Sequence, residues 1–315
     1  MDVIALVYDI LRDMAAQPRA QESTVAFLVE QLTGFVKQRD TVLICFPEQG
    51  EGSLSQLMEQ AVLRCEAIPV VWGADHRWKS LLRLAFSSRA TTIISTPLIV
   101  LGLAKLRSFY SIPLFIRNVV TSGYPCEAWM IDGIRRGFDS ASWGCFGIGT
   151  TNVVAGFSCE AVQGIHLRET EYRVDIVDKR GNSMPDGEDG EIVLSPVSAP
   201  ELRYFMGENA RLRTGRCACG STRPLLTDIH AGRTEADADL LELGKMLQNW
   251  SSVLDCRLQK GHYGLELEII VLPGGRLPKL PSAAKQTIRV FSPETDAPLP
   301  YDPTQKIPEN GTESH

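Results

Sequence analysis

Four residues have the types and spacing of a metal site: Cys159, His166, Cys217 and Cys219. The first two frame a short segment, and Cys217-Ala218-Cys219-Gly220 is a thiol pair on a turn that lets both sulfurs face one ion. One imidazole and three thiols suit tetrahedral zinc, and four protein ligands leave no open coordination position, so the expected role is structural. Spacing alone leaves a second reading open, in which these are ordinary thiols near a turn. Two further segments offer weaker chemistry. In FGIGTTN, 146–152, Gly147 and Gly149 allow close backbone approach to a ligand and Thr150 and Thr151 offer hydroxyls, although the segment also reads as a plain turn. In RYFMGE, 203–208, Glu208 is an acceptor for sugar hydroxyls and Arg233 downstream a guanidinium for phosphate or carboxylate. Taken alone, that segment reads as a solvated charged loop.

The elements that must position these residues follow from the apolar pattern. TVLICF 41–46, IPVVW 68–72, TTIIS 91–95 and LFIRNVV 114–120 are short apolar runs, separated by amphipathic stretches at 23–37, 54–66, 77–87, 97–107 and 127–138. Such alternation predicts parallel strands joined by right-handed helical crossovers, a doubly wound α/β sheet. Ligands bind such sheets beyond the carboxyl ends of the strands, which draws attention to SGYP at 122–125. From 170 to 195 the pattern changes to period two, with turns at KRGN and PDGEDG, and predicts an antiparallel meander. After Gly232-Arg233 a helix over TEADADLLELGKMLQNW, a strand at 264–272 and a short helix leading into another strand over KLPSAAKQTIRVF predict a small, truncated α+β unit. The expected division is a nucleotide-handling domain over 1–232, the small C-terminal unit over 233–291 and a flexible tail over 292–315.

Bulk properties narrow the function. The net charge of -6 over 315 residues, without a long Lys/Arg cluster, argues against nucleic acid as a partner. No apolar run is long enough to span a bilayer, and Asp2, Asp9 and Asp13 make the start unlike a secretory signal, so a cytoplasmic location without membrane association is expected. Cys45, Cys65, Cys126, Cys145 and Cys256 stand singly in apolar stretches, as buried thiols do.

In order along the chain, the segments from about Ser122 to Arg233 resemble the phenylacetate-CoA ligase branch of the adenylate-forming superfamily, which also holds acyl-CoA synthetases. SGYP resembles the family's Gly-(Ala/Gly)-Glu-Pro strand end beside the adenine, with Tyr124 in place of Glu. FGIGT is similar to its Tyr-Gly-x-(Ser/Thr)-Glu segment. CEAVQGIHLRE, 159–169, and DGEDGEIVLS, 186–195, resemble its Cys-to-His segment and its Gly-Glu-x-Gly-Glu hairpin. LRYFMGE resembles the strand whose acid binds the ribose, and CACGSTRP with Ala231-Gly232-Arg233 the Cys-x-Cys-Gly and Gly-Arg hinge.

The resemblance implies that a carboxylate attacks the α-phosphate of ATP to give an acyl-adenylate, from which a thiol displaces AMP, with catalysis resting on positioning and charge stabilisation. It implies nucleotide contacts from Gly123, Tyr124, Pro125, Phe146, Gly147, Glu208 and Arg233, an aromatic-acid pocket lined by Trp143, Phe146 and Phe157, and structural zinc on the four Cys/His ligands. Thr150 stands at the magnesium-contacting acid and Lys285 at the adenylation lysine. The expected cofactors are zinc, with ATP and magnesium. The expected partners are a small carboxylate, coenzyme A or a carrier thiol, and either a second copy or a complete ligase.

The sequence also departs from the pattern. No Ser/Thr/Gly-rich phosphate loop precedes the first helix, where AQPRAQEST stands, and Thr150 supplies no carboxylate. A catalytically degenerate relative, acting as a binding or partner module, is therefore the competing expectation.

Overall fold

A computed structural model describes residues 17–46, 52–72, 77–122, 126, 128–138, 142–145, 154–158, 164–231, 235–261, 264–280, 285–292 and 296. The first unit alternates helix and strand: α1 (Pro18–Leu32), β1 (Thr41–Cys45), α2 (Leu54–Arg64), β2 (Ile68–Val71), α3 (Trp78–Ser87), β3 (Thr92–Ser95), α4 (Pro97–Tyr110), β4 (Asn118–Thr121), α5 (Ala128–Gly137) and β5 (Ser142–Cys145). Helix starts follow local chemistry. Pro18 and Pro97 occupy first-turn positions, where no backbone donor is lost, and Ser53 caps α2 by accepting from the Gln56 amide.

All five strands are parallel, in the order β2-β1-β3-β4-β5, as the apolar alternation predicts. The inner strands β1, β3 and β4 bury successive side chains, which point to opposite faces, whereas the edge strand β2 leaves Ile68 exposed. Val42, Ile44, Ile94 and Val120 pack under α1 and α2, while Leu43, Cys45, Ile93 and Val119 pack under α3, α4 and α5. Three details differ from expectation. The helical stretch expected over 23–37 forms α1 at Pro18–Leu32, starting and ending five residues earlier. The run 114–120 enters the ladder only at Asn118, the residues before it lying outside any helix or strand, with the Leu114 amide donating to the Ile112 carbonyl (2.9 Å) across Pro113. SWGC, with no apolar run of its own, forms β5 by pairing with β4.

The meander is larger than the sequence predicts. A six-stranded antiparallel sheet, in the order β6-β7-β11-β10-β9-β8, is made of β6 (Gly156–Ser158), β7 (Ile165–Leu167), β8 (Tyr172–Val177), β9 (Asp189–Pro196), β10 (Tyr204–Arg213) and β11 (Leu225–Ala231). RYFMGE is therefore not a solvated loop. It enters β10, where Tyr204, Met206, Glu208 and Ala210 are buried and alternate with more exposed neighbours.

The C-terminal unit holds α6 (Glu235–Asn249), β12 (Val253–Gly261), β13 (Gly264–Val271) and β14 (Lys285–Val290), a three-stranded mixed sheet with β13 central. Strand β12 was not anticipated, because its polar sequence carries little apolar signal. One face of this sheet, with Val253, Cys256, Leu267, Ile269 and Val271, packs with Leu247 of α6. On β13 and just past its end, the residues of opposite parity, Ile270 and Leu272, join Leu254 and Phe291 in the cluster formed by α3, α4 and α5, the register shift between Val253 and Asp255 putting Leu254 and Cys256 of β12 on different faces. The short helix expected before β14 falls on 281–284, outside the described residues. Among the described residues no helix is long and apolar enough to cross a membrane.

Candidate functional site

His166 lies on β7 and Cys217 and Cys219 on the turn between β10 and β11; their ligand atoms all lie within 4.8 Å of one another. The ladder does this: β11 returns antiparallel to pair with β7, with Leu225 opposite His166, and so carries the preceding turn to the imidazole. The turn closes on itself, the Cys217 amide donating to the Ser221 carbonyl (2.8 Å) and the Gly220 amide to that of Cys217 (2.9 Å). Gly220 has φ +90, which a side chain rarely adopts, and this accounts for the glycine after the second thiol.

The donor geometry fits zinc. His166 Nε2 is 3.4 Å from Cys219 Sγ, while tetrahedral zinc with ordinary Zn–N and Zn–S bonds would set those atoms about 3.5 Å apart. His166 Nδ1 is 3.2 Å from the Arg223 carbonyl, a contact that orients the ring with Nε2 facing the Cys219 thiol. That orienting carbonyl is a contact no side-chain pattern announces. Cys159, the fourth ligand expected, lies outside the described residues.

A second feature lies on the same sheet. Glu208 is 4% exposed and pairs with Ala231, the last residue of β11 before Gly232-Arg233. The β10–β9 register shifts between Phe205 and Asn209, and Gly207, at φ +71, sits in that bulge. Bulges re-aim a strand's side chains, and here the glycine immediately precedes the buried carboxylate. An ionised carboxylate away from water is costly unless it is matched, which marks the position as specialised.

The remaining candidates divide. Phe157 is 2% exposed, its ring 5.8 Å from that of Phe35, within the layer under α1 and α2. Trp143 is the β5 residue opposite Val119. Lys285 opens β14, opposite Glu266 of β13. At the carboxyl end of β4, Ser122 is buried and its amide donates to the Ser95 carbonyl (3.0 Å). Gly123, Tyr124, Pro125, Phe146, Gly147, Thr150 and Arg233 lie outside the described residues.

Two polar clusters went unnoticed in the sequence. Arg168 is 5% exposed, donates to Ser23 Oγ and to Thr24 Oγ1 (3.3 Å), pairs with Glu171 at 3.4 Å and lies over the Phe27 ring, 5.1 Å from its centroid. It ties the meander to α1. Lys105 on α4 donates to the carbonyls of Gln248 in α6 and Val253 in β12, the latter at 2.6 Å. Burial pushes its amine down to about 8, against the attraction of Asp255 and Cys256. A lone Lys or Arg in sequence reads as a solvated charge, so only packing reveals either cluster.

No protein-family model matches the sequence, and no curated protein matches it. Solved structures do. The chain is 14% identical to 2-hydroxyisobutyryl-CoA ligase in the postadenylation state in complex with 2-HIB-AMP, with 90% of this chain and 68% of that one covered and a TM-score of 0.66. It is 14% identical to the anthranilate CoA ligase AuaEII in complex with anthranoyl-AMP, covering 90% of this chain and 61% of that one at a TM-score of 0.53. A variant of the amide bond synthetase McbA from Marinactinospora thermotolerans is 14% identical, with 89% and 63% covered and a TM-score of 0.52. The chain thus spans roughly two thirds of the length of these proteins, and its α/β architecture, parallel sheet, antiparallel sheet and C-terminal unit together, is the fold they share.

Proposed function

We propose that this chain is an atypical adenylate-forming protein of the acyl-CoA ligase kind, from the phenylacetate-CoA ligase branch, which binds a small aromatic carboxylate with ATP and joins them as an acyl-adenylate. The observation that carries this reading is Glu208: a buried carboxylate beside a glycine bulge, on the strand paired with the one that runs into Gly232-Arg233. It stands in a fold shared with ligases solved around acyl-AMP. In the proposed reaction a carboxylate oxygen attacks the α-phosphate, pyrophosphate leaves, and coenzyme A or a carrier thiol then takes the acyl group and releases AMP. Glu208 accepts from the ribose hydroxyls. Gly123, Tyr124, Pro125, Phe146 and Gly147 surround the adenine, Arg233 meets phosphate, and Trp143 and Phe157 flank the acyl group. Thr150 and Lys285 are assigned to the reacting phosphate, and magnesium would supply charge neutralisation there. Zinc on Cys159, His166, Cys217 and Cys219 braces the sheet, supported by the three ligands that converge.

One observation favours a second reading. Where a phosphate loop is expected, Pro18–Thr24 forms the first turns of α1, with no glycine among them. A chain without that loop and without an acid at Thr150 lacks groups each worth roughly 3 kcal/mol to such a transition state, and would serve as a binding module or as partner to a complete ligase.

ATP–pyrophosphate exchange across a panel of aromatic carboxylates separates the two. Exchange above background rejects the degenerate reading. No exchange, together with no ATP or AMP binding by calorimetry, rejects the enzyme. Glu208→Ala should weaken AMP binding by about tenfold or more, the loss of a charged acceptor for two hydroxyls.

A further inference from the structure

In this molecule the C-terminal sheet forms a layer of the main core. Leu254, Ile270, Leu272 and Phe291 are each at most 3% exposed, in one cluster with Trp78 and Leu81 of α3, Val100, Leu101 and Ala104 of α4, and Ile134 of α5. Two polar contacts stand at separate points of that contact. At α4, the Lys105 amine reaches across to the Gln248 carbonyl, at the end of α6, and to the Val253 carbonyl, at the start of β12. Behind these, Gln248 Nε2 donates to Asp255 Oδ1 (3.1 Å) and to the Cys256 carbonyl (3.0 Å), so both carbonyl-bearing segments are fixed to each other. At the start of α3, the Trp78 amide donates to the Asp296 carbonyl (3.0 Å), and Asp296, 2% exposed, is held by Arg289 of β14 at 2.6 Å.

We propose that Lys105 is a latch: it caps the end of α6 from α4 and, with the apolar layer around Leu254 and Phe291, holds the C-terminal unit in a single position against α3, α4 and α5. A unit that swung on the Gly232-Arg233 segment would have to expose four aliphatic and aromatic side chains to water and strip two backbone carbonyls of their donor, the two penalties that protein interiors most consistently avoid. The sheet bearing β14, which opens at Lys285, then does not move relative to the parallel sheet. This assignment stands whether or not the chain adenylates anything.

The latch makes Lys105 inaccessible, and amine footprinting reads that directly. The native full-length chain is treated with limiting N-hydroxysuccinimidyl acetate and the modification rate of each lysine is followed by mass spectrometry. Lys37, Lys179 and Lys279, all exposed, set the ordinary rate. A latched unit leaves Lys105 modified more than about thirtyfold slower, since undocking populated above a few per cent would raise it past that limit. A smaller difference overturns the proposal. Leu254→Asp and, separately, Phe291→Asp place a charge in the contact. In at least one folded variant Lys105 should approach the rate of Lys179, and continued protection in a folded, charge-bearing variant overturns the claim that this contact encloses it. Folding is checked by hydrogen exchange in β1 and β3, which lie outside the contact.

Discussion

Raising the pH should stabilise the folded chain through Lys105, which is opposite to the behaviour of a lysine in a surface ion pair. Its amine is pushed down to about 8 by burial, from the ordinary lysine value of 10.5. The folded chain therefore releases this proton first; between about 8 and 10.5 the unfolded chain holds more protons, so stability increases with pH in that window. The full span corresponds to ~3.4 kcal/mol at about 1.36 kcal/mol per pKa unit, of which about 2 kcal/mol falls between pH 7.5 and pH 9.5. The sign is reasonable structurally because a neutral amine still has two N–H groups for the Gln248 and Val253 carbonyls. The titratable groups facing Lys105 are Asp255 and the Cys256 thiol of β12, the latter pushed above its ordinary value by burial, while α5 meets α4 through the glycines Gly133 and Gly137. The assay is urea denaturation at both pH values for wild type and Lys105→Met, taking the difference of the two pH increments so that other titrating groups cancel. An increment for Lys105→Met equal to that of wild type would refute the reasoning.

Gly102→Ala would bring a Cβ within 2.3 Å of Trp78 Cη2 in the core, which should lower stability by about 1–3 kcal/mol. In a Trp78→Leu background the same substitution should have little effect, and equal losses in both backgrounds would show that the close contact is not the cause. Arg168→Met should destabilise by about 1–3 kcal/mol, since it removes hydrogen bonds to Ser23 and Thr24 and the pairing with Glu171. Hydrogen exchange should localise the loosening to α1, and unchanged protection there would count against the tie. For the metal centre, elemental analysis should find about one zinc per chain, and Cys217→Ser combined with Cys219→Ser should abolish it and lower the melting temperature. Purified wild type that is metal-free and equally stable would remove zinc from this site.

Short continuous apolar runs separated by stretches of helical repeat decide the parallel sheet in the sequence itself, because a strand buried on both faces must be apolar throughout and its crossover helix amphipathic. TVLIC and TTIIS were legible for that reason. A thiol pair on a glycine turn is likewise a local property, and the structure brings Cys217 and Cys219 together with His166 as a group that could hold a metal ion. What the sequence left open depends on partners distant along the chain. SWGC becomes β5 only because β4 offers an unpaired edge, and RYFMGE becomes a strand only because β9 and β11 flank it and give Tyr204, Met206 and Glu208 a buried face. Strand β12 is polar in composition, yet Val253 and Leu254 point into two different cores, one under α6 and one under α4. Lys105 shows the limit most plainly. Its sequence context is an ordinary helical lysine, and only the layer of the C-terminal sheet against α4 shields its charge from water and brings it to the end of α6. Local chemistry is written in neighbouring residues, whereas desolvation belongs to the assembled chain.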